Sequence, residues 1–265
     1  MQPAKEEREE SLARYVRFRN GETIRYGELR GTTIYPLNGA FGAFEPAPEE
    51  PIALERAKLL APSVPTKIIA IGPNFGPVPP SFSQPWFWTK PATCLNDPEG
   101  IIELPPGHPA INHEVELAIV IGRRAKMVDR ASAHEYIFGY TCMNDVTAGD
   151  FSKEGAFMAS HYFVDGKIFD GFAPLGPWIV TDLDTGNLKM ETRVNGEVRQ
   201  SDTTANRLFD PAHIVALVSN VVTLFPGDVI STGSPPGVQP MVHGDVVEIE
   251  IEGIGILRNH ARNRS

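Results

Sequence analysis

The chain has 265 residues, 42% of them hydrophobic, which is enough to bury one large core with a small appended unit. Its formal net charge of −9 argues against a nucleic-acid partner, because binding a phosphate backbone requires a basic surface. No apolar run approaches the ~20 residues that a bilayer span needs, so we expect no membrane partner. Residues 1–17 are charged and lack the apolar segment of a signal peptide, so we expect a cytoplasmic location.

Glycine, proline and cysteine counts narrow the fold class. The 24 glycines and 24 prolines favour a turn-rich β architecture over a helical bundle. The two cysteines, Cys94 and Cys142, are too few for a disulfide framework or a zinc cluster. We therefore expect each of them to be a small buried hydrophobic residue.

The first part of the chain predicts a small unit of antiparallel strands. Two alternating segments flank the tight-turn pair Asn20-Gly21, which is typical of a β-hairpin. Residues 43–52, rich in Pro and Glu, are typical of a linker. We predict a small N-terminal β domain over residues 1–62 and a larger domain over residues 63–265.

The stretch H-E-V-E-L-A-I-V-I-G, which begins at His113, predicts a central strand that is apolar, and therefore buried, on both faces. Because strand side chains alternate, Glu114 and Glu116 share one face, with their Cα atoms ~7 Å apart, and His113 lies on the other. Unpaired buried carboxylates are costly, and a cation between them would remove that cost. Asp145, in the block M-N-D, is the candidate for a third oxygen ligand.

The same carboxylates allow a simpler interpretation. Glu114 and Glu116 could lie at a solvated strand end, before the buried part begins. Asp145 could be a turn residue or a helix N-cap, since Asn-Asp pairs favour both roles. The E-x-E pattern alone does not decide between these alternatives.

Six sequence blocks favour the metal site over the simpler interpretation, because they stand in a fixed order along the chain. They are K-I-I-A-I-G-P-N-F from Lys67, H-E-V-E-L-A-I-V-I-G from His113, F-G-Y-T-C-M-N-D-V-T-A-G-D from Phe138, F-A-P-L-G-P-W-I-V-T from Phe172, V-N-G-E-V-R-Q from Val194 and P-G-D-V-I-S-T-G-S-P-P-G-V from Pro226. Over about residues 65–260 they resemble the fumarylacetoacetate hydrolase family, in its 2-hydroxyhepta-2,4-diene-1,7-dioate isomerase and acylpyruvase-like branch. The resemblance implies an α+β, mostly β fold, with a mixed β-sheet roll or barrel and a small N-terminal β unit.

The resemblance also implies a metal-dependent enzyme. A divalent ion, Mg²⁺ or else Mn²⁺ or Ca²⁺, would be held by Glu114, Glu116 and Asp145. The small-molecule substrate would be a β-keto or 2-oxo acid that reacts through a metal-bound enolate. C–C bond hydrolysis is the family default, with decarboxylation or enol–keto isomerisation as alternatives, and we expect a homodimer. A non-catalytic, metal-stabilised protein that binds a small acid is a second alternative.

The loop after Gly72 departs from the family pattern. Many members carry N-[YF]-x-x-H-x-x-E there, with a His and a Glu that activate water, whereas this chain has N-F-G-P-V-P-P-S from Asn74. Hydrolysis needs a general base for water, so the loss of this pair favours decarboxylation or isomerisation. His161 is the candidate replacement and is predicted to be catalytic, although such a histidine is more often a surface residue.

A second departure follows the M-N-D block. The family often has an Arg and a Gln where this chain has Gly149 and Ser152, so a bidentate guanidinium for a substrate carboxylate is missing. We expect a substrate that differs from the commonest dicarboxylates of the family, or a carboxylate held by Lys153, Lys167 or Arg193.

Further residues complete the predicted site. Lys167 matches the family lysine near the metal and is predicted to be catalytic, since its charge could neutralise a developing enolate. The other predicted substrate-binding residues are Thr232, Gly233, Ser234, Asn74 and Lys90. The loop formed by the first three could hold a carboxylate or be a structural turn, and we think both are true. For Lys90, a solvated loop position is the favoured interpretation.

Local signals predict the remaining features that bear on the site. Residues 73–91 predict a loop whose bulky aromatic side chains roof the pocket or contact a partner subunit. Ser132 and Glu135 form a capping-box pattern, which predicts a short helix up to Tyr140. Asp210, followed by proline, predicts the N-cap of another helix.

Overall fold

The computed structural model describes residues 12–78, 81–108, 110–149 and 165–264. Their secondary structure is mostly β, as predicted. Six short strands come first: β1 (Arg14–Asn20), β2 (Thr23–Arg30), β3 (Thr33–Asn38), β4 (Glu45–Pro46), β5 (Ile52–Ala53) and β6 (Lys58–Leu60).

The strands after residue 62 build the rest of the fold. In chain order they are β7 (Ile68–Gly72), β8 (Trp86–Lys90), β9 (Leu95–Asn96), β10 (Ile101–Leu104), β11 (Ile111–His113), β12 (Val115–Ile121), β13 (Ile137–Asn144), β14 (Thr147–Ala148), β15 (Ala173–Val180), β16 (Lys189–Val194), β17 (Glu197–Thr203), β18 (Val229–Ser231), β19 (Gln239–Pro240), β20 (Val246–Ile251) and β21 (Gly255–Asn263). The α-helix α1 spans Pro211–Val221. Short 3-10 turns lie at Leu54–Arg56, Ala92–Cys94, Arg130–Tyr136 and Thr204–Asn206.

The largest sheet runs in the order β4-β3-β2-β1-β15-β13-β12-β18-β7-β8. The predicted N-terminal hairpin is present as β1 and β2, and Gly21 in their turn has a φ of 59°, which favours glycine. Strand β1 pairs with β15, so the N-terminal strands extend the central sheet. The division into domains at residues 62 and 63 stays a prediction.

The central strand β12 lies between β13 and β18 and is buried along its whole length, as predicted. Its two faces enter different apolar clusters. Val115 and Leu117 pack against the second sheet, whereas Ala118 and Val120 pack with residues of β15. Burial on both faces explains the nearly continuous apolar sequence of this strand.

Two smaller sheets complete the described fold. The second sheet has the order β10-β21-β20-β16-β17, and its apolar face covers the first residues of β12. The third has the order β14-β11-β19 and flanks the end of β12 at which the predicted ligands lie. Parallel pairs, such as β7 with β18, occur beside antiparallel ones, so the fold is mixed. No helix among the described residues is long and apolar enough to cross a lipid bilayer.

Three local predictions were wrong because strand pairing overrides the local signal. The linker-like residues 43–52 contain β4, which pairs with β3. The predicted loop 73–91 ends in β8, which pairs with β7 along its whole length. The predicted helix up to Tyr140 is a 3-10 turn that ends at Tyr136, because the following residues enter β13 beside β12.

Of the two capping predictions, one was wrong and the other is confirmed. Ser132 does not cap a helix: it lies inside the 3-10 turn, and its hydroxyl donates to the Asp129 carbonyl at 3.2 Å. Asp210 is the N-cap of α1 as predicted, and its Oδ1 accepts from the His213 N–H at 2.7 Å.

Both cysteines are buried, and burial raises the pKa of the Cys94 thiol to about 11.

Candidate active site

Strand register brings the three predicted metal ligands together. Strands β12 and β13 pair antiparallel, with Val115 opposite Asn144, so the start of one meets the end of the other. Glu114 and Asp145 are therefore adjacent, and the Asp145 N–H donates to the Glu114 carbonyl at 3.0 Å. One carboxylate oxygen from each of Glu114, Glu116 and Asp145 lies within 4.8 Å of the other two.

Burial excludes the simpler interpretation of these residues. Glu114 is 8% exposed, Glu116 1% and Asp145 0%, so none lies at a solvated strand end. Asp145 does not act as a helix N-cap, because a short strand pairing with β11 follows it. Three carboxylates at this depth require compensation by hydrogen bonds or by positive charge.

Two buried lysines compensate part of this charge. The Lys167 ammonium lies 2.9 Å from Glu114 Oε1 and 2.6 Å from Asp145 Oδ2, as expected for a lysine near the predicted metal site. The Lys90 ammonium lies 2.5 Å from Asp145 Oδ1. The favoured interpretation of Lys90 as a solvated residue was therefore wrong, because it is 0% exposed and pairs with Asp145 behind the cavity.

The pKa shifts follow from this arrangement. Burial alone would raise the pKa of Asp145, but Lys167 and Lys90 together hold it below its usual value. Burial raises the pKa of Glu116 well above normal, and the nearby charges of Asp145 and Glu114 add to the shift. Glu116 has no ion pair within the described residues. It accepts instead from the Ser231 hydroxyl and from the Gly233 N–H, at 2.7 Å for the latter.

The donor set fits a hard divalent cation. When all three carboxylates are ionised, they and the two ammonium groups leave one net negative charge in a buried cluster, and Glu116 is the carboxylate without a cationic partner among the described residues. Carboxylate oxygens are the ligands that Mg²⁺, Mn²⁺ and Ca²⁺ prefer. Glu114, Glu116 and Asp145 could therefore hold such an ion.

A cavity of about 340 Å³ opens beside the carboxylates. Glu114, Glu116, Thr147 and Lys167 line one part of it. The remaining lining residues come from the end of β7 and the segment after it, from β8 and from the loop after β18: Ile71, Gly72, Pro73, Asn74, Phe75, Trp88, Ser234, Pro235, Pro236, Gly237 and Val238. Of the aromatic residues predicted to roof the pocket, Trp88 does line it.

The predicted substrate-binding residues divide between the cavity and its walls. Ser234 lines the cavity, whereas the Thr232 hydroxyl donates to the Leu117 carbonyl at 2.8 Å. The Gly233 N–H is bound to Glu116, and a Cβ at this glycine would lie 2.7 Å from Asn74 Cβ. The loop therefore acts as a structural turn at Thr232 and Gly233, and it offers a side chain to a ligand at Ser234.

Asn74 lines the cavity but uses its amide to join two loops. Its Nδ2 donates to the Thr232 carbonyl at 2.7 Å, and its Oδ1 accepts from the Phe209 N–H at 2.7 Å. Arg193, an alternative carboxylate holder, lies on the second sheet, 2.6 Å from Glu250. His161 and Lys153 lie outside the described residues, so their predicted roles stay predictions.

Sequence reasoning missed Gln200, which was quoted in a motif and given no role. Its Oε1 accepts from His113 Nδ1 at 3.0 Å, from the Val115 N–H at 3.1 Å and from the Thr192 hydroxyl at 2.9 Å. Its Nε2 donates to Ser234 Oγ at 3.0 Å and to the Pro235 carbonyl at 2.8 Å. This side chain therefore fixes the start of β12 and the cavity loop relative to each other.

Thr147 was also missed. Its hydroxyl donates to Glu114 Oε1, next to the Lys167 ammonium. Thr147 follows Asp145 by two residues, and this spacing could have placed both side chains on the same side of the chain.

Two family models match the chain. The family model described as the C-terminal domain of fumarylacetoacetate (FAA) hydrolase matches residues 72–262. A second model, described as Rv2993c-like, N-terminal, matches residues 13–62. These two matches cover nearly all of the described residues.

Individual relatives differ in the reaction that their names state. The chain is 39% identical over 213 residues to mitochondrial oxaloacetate tautomerase FAHD2A of Bos taurus, covering 74% of this chain and 66% of that protein. A 2-hydroxyhepta-2,4-diene-1,7-dioate isomerase from Mycobacterium marinum superposes with a TM-score of 0.86 at 35% identity, over 96% of this chain and 99% of that one. Maleylpyruvate hydrolase from Sphingobium sp. SYK-6, in complex with manganese(II) and pyruvate, superposes with a TM-score of 0.76 at 30% identity, over 95% and 100%.

Proteins named as a tautomerase, an isomerase and a hydrolase thus all resemble this chain. The chain belongs to the fumarylacetoacetate hydrolase family of enzymes.

Proposed function

We propose that this protein is a divalent-metal-dependent enol–keto tautomerase of a 2-oxo acid. The observation that carries the proposal is a buried carboxylate cluster beside a cavity whose described lining residues include no base for water outside that cluster. Among the described lining residues there is no histidine, and the only carboxylates are Glu114 and Glu116, which belong to the cluster. Tautomerisation needs the metal ion that the carboxylate cluster would hold. Hydrolysis needs that ion and, in addition, a base that activates a water molecule.

Glu114, Glu116 and Asp145 would hold the ion, with Mg²⁺ or Mn²⁺ as the candidates. A divalent ion there would act as a Lewis acid that polarises the 2-oxo group and makes the neighbouring carbon more acidic. The manganese and pyruvate named for the Sphingobium relative support this pairing of ion and ligand class.

The chain itself contributes fixed charge and hydrogen bonds. The Lys167 ammonium lies at the cavity wall and can stabilise negative charge that develops on the substrate, as predicted from its motif. Ser234 Oγ accepts from Gln200, and its hydroxyl makes only a long hydrogen bond, 3.5 Å, to the Pro235 carbonyl, from which its proton can turn to a substrate oxygen.

Proton balance also favours tautomerisation. The reaction moves one proton between a carbon and the adjacent enol oxygen, and water can supply and remove that proton. The described part of the loop after β7 contains Gly76, Pro77 and Val78, none of which is ionisable. If C–C hydrolysis occurs, its base must come from elsewhere, and His161 stays the predicted candidate.

Two substrates separate tautomerisation, C–C hydrolysis and decarboxylation. Acetylpyruvate (2,4-dioxopentanoate) would be incubated with the Mn²⁺- or Mg²⁺-loaded protein in D₂O and followed by NMR. We expect deuterium exchange at C3 to be faster than release of acetate and pyruvate. Oxaloacetate in a parallel reaction reports decarboxylation through CO₂ release.

Each outcome assigns a reaction. Faster acetate release would contradict the tautomerase proposal and establish a hydrolase, and its loss in His161→Ala would identify the base. Metal-dependent binding without exchange, hydrolysis or CO₂ release would indicate a non-catalytic small-acid binding protein. The homodimer also stays a prediction, which sedimentation of the purified protein would test.

A further inference from the structure

We infer that the substrate of this site carries its 2-oxo acid group on a short apolar tail, without a second carboxylate. The inference rests on the proposed function and deepens it, because it concerns the part of the substrate that lies away from the metal ligands.

The cavity has two chemically different parts. Its polar part is formed by Glu114, Glu116, Thr147 and Lys167. The other part is mainly apolar and comes from three separate segments of the chain: Ile71, Pro73, Phe75, Trp88, Pro235, Pro236 and Val238. A ligand whose 2-oxo acid group faces the carboxylate cluster must therefore place its remaining atoms against hydrocarbon.

No cation in the described lining can receive a second carboxylate. Lys167 is the only cationic residue there, and its ammonium already lies within 2.9 Å of Glu114 and 2.6 Å of Asp145. Arg193 lies 3.3 Å from Glu248 and 2.6 Å from Glu250 on the second sheet. Gly149 stands where the resemblance predicts the arginine that clamps a carboxylate.

The Asn74 amide and the Ser234 hydroxyl oxygen, two uncharged polar groups of this part, already have partners within the chain. The Asn74 amide joins the Thr232 and Phe209 backbones, as described above. Ser234 provides one hydroxyl, which suits a single oxygen of the 2-oxo acid group and carries no charge to pair with a distal carboxylate. An unpaired carboxylate in such surroundings opposes binding, whereas an alkyl group favours it.

A pair of isosteric ligands tests the inference on the unmodified protein. Oxaloacetate and 4-methyl-2-oxopentanoate share the 2-oxo acid group and the C3 methylene, and they differ in a terminal carboxylate against an isopropyl group of similar shape. Their dissociation constants would be measured by calorimetry on the Mn²⁺-loaded protein, with oxalate as a reference that has no tail. We expect 4-methyl-2-oxopentanoate to bind at least about tenfold more tightly than oxaloacetate.

The reference ligand distinguishes this inference from the proposed function. If oxalate binds only with Mn²⁺ but oxaloacetate binds as tightly as 4-methyl-2-oxopentanoate, the apolar-tail inference is overturned and the proposed function survives. If oxalate shows no metal-dependent binding, the proposed function fails and the inference falls with it.

A substitution in the apolar wall provides an independent test. Val238 is half-buried and lines the cavity on the side of the loop after β18. Val238→Arg adds a cation to this wall, so we expect the preference to move by about tenfold or more towards oxaloacetate, relative to oxalate in the same variant. Val238→Leu is the matched control and should keep the preference for the apolar tail. An unchanged preference in Val238→Arg would contradict contact between the tail and this wall.

Discussion

Two clusters of charged residues, one on the second sheet and one beside the cavity, use the same chemistry in opposite environments. On the second sheet, Arg193 pairs with Glu248 and with Glu250, whose side chain is 41% exposed. Beside the cavity, Asp145 pairs with Lys90 and Lys167 at full burial. The nitrogen–oxygen distances in the two clusters are similar, but only the ion pairs on the second sheet, the outer cluster, keep access to water.

The cost of desolvating the charges distinguishes the two clusters. Exposed ion pairs contribute about 0–1 kcal/mol each, so the outer cluster can be explained as an ordinary solvated sheet face. Buried charges carry a desolvation cost of several kcal/mol per ion, which a stable fold alone does not require. Glu116 is buried without an ammonium partner among the described residues, which makes a metal-binding role the simplest explanation of the inner cluster.

Removing one carboxylate from each cluster should give the largest contrast. Asp145→Ala leaves Lys90 and Lys167 buried without their shared partner, so we expect the free energy of unfolding to fall by about 3–5 kcal/mol. Glu250→Ala should lower it by at most about 1 kcal/mol. Urea denaturation of both metal-free proteins measures the difference. If Asp145→Ala does not fold, Asp145→Asn keeps the shape and should still be the more destabilised, and equal losses would contradict the comparison.

Lysines in the two environments should differ in their effect on turnover. Lys167→Met removes the only cation of the described cavity lining, so we expect kcat for exchange at C3 to fall by about 10²–10³ with little change in KM. Lys189→Met is the control, because the Lys189 side chain is 62% exposed and pairs with Glu191 at the surface. A correctly folded Lys167→Met protein with undiminished turnover would show that the lysine is not involved.

Metal addition should sharpen the comparison at Glu116. Glu116→Ala leaves the buried Ser231 hydroxyl and Gly233 N–H without their acceptor, so we expect the metal-free protein to lose about 1–3 kcal/mol in its free energy of unfolding. The variant should lose the stabilisation by Mn²⁺, about 2.7 kcal/mol when the ion is at one hundred times its Kd. Thermal unfolding with and without Mn²⁺ measures both effects. An Mn²⁺ response equal to that of the unmodified protein would remove Glu116 from the ligand set.

The smallest expected effect concerns the neutral network between the two sheets. Gln200→Leu leaves the buried N–H groups of His113 and Val115 without their acceptor, so we expect a loss of about 1–3 kcal/mol in the free energy of unfolding. Gln239→Leu, at a half-buried residue bonded to Arg199 at 2.9 Å, should cost less, about 1 kcal/mol. A raised KM in Gln200→Leu, rescued by Gln200→Asn or Gln200→His, would show that it also positions Ser234. No difference between Gln200→Leu and Gln239→Leu would argue against a special role for Gln200.

Local sequence determined the features that depend on neighbouring residues. The period of two placed Glu114 and Glu116 on one face, and the apolar run after them predicted burial on both sides of β12. Asn20-Gly21 predicted the first hairpin, and Asp210 predicted the start of α1. These signals succeed because backbone geometry and capping act over a few residues. Ser132 shows their limit, since its capping pattern was overruled by the pairing of β13 with β12.

Only the tertiary structure decided how distant segments meet. The register that sets Val115 opposite Asn144 puts Asp145 beside Glu114, and the pairing of β8 with β7 carries Lys90 into the interior. A lysine in a segment such as W-T-K-P, residues 88–91, looks the same in sequence whether it is solvated or buried, because its environment is supplied by Asp145, 55 positions away. The apolar wall of the cavity has the same origin: Phe75, Trp88 and Val238 come from three segments whose proximity depends on the packing of the whole sheet.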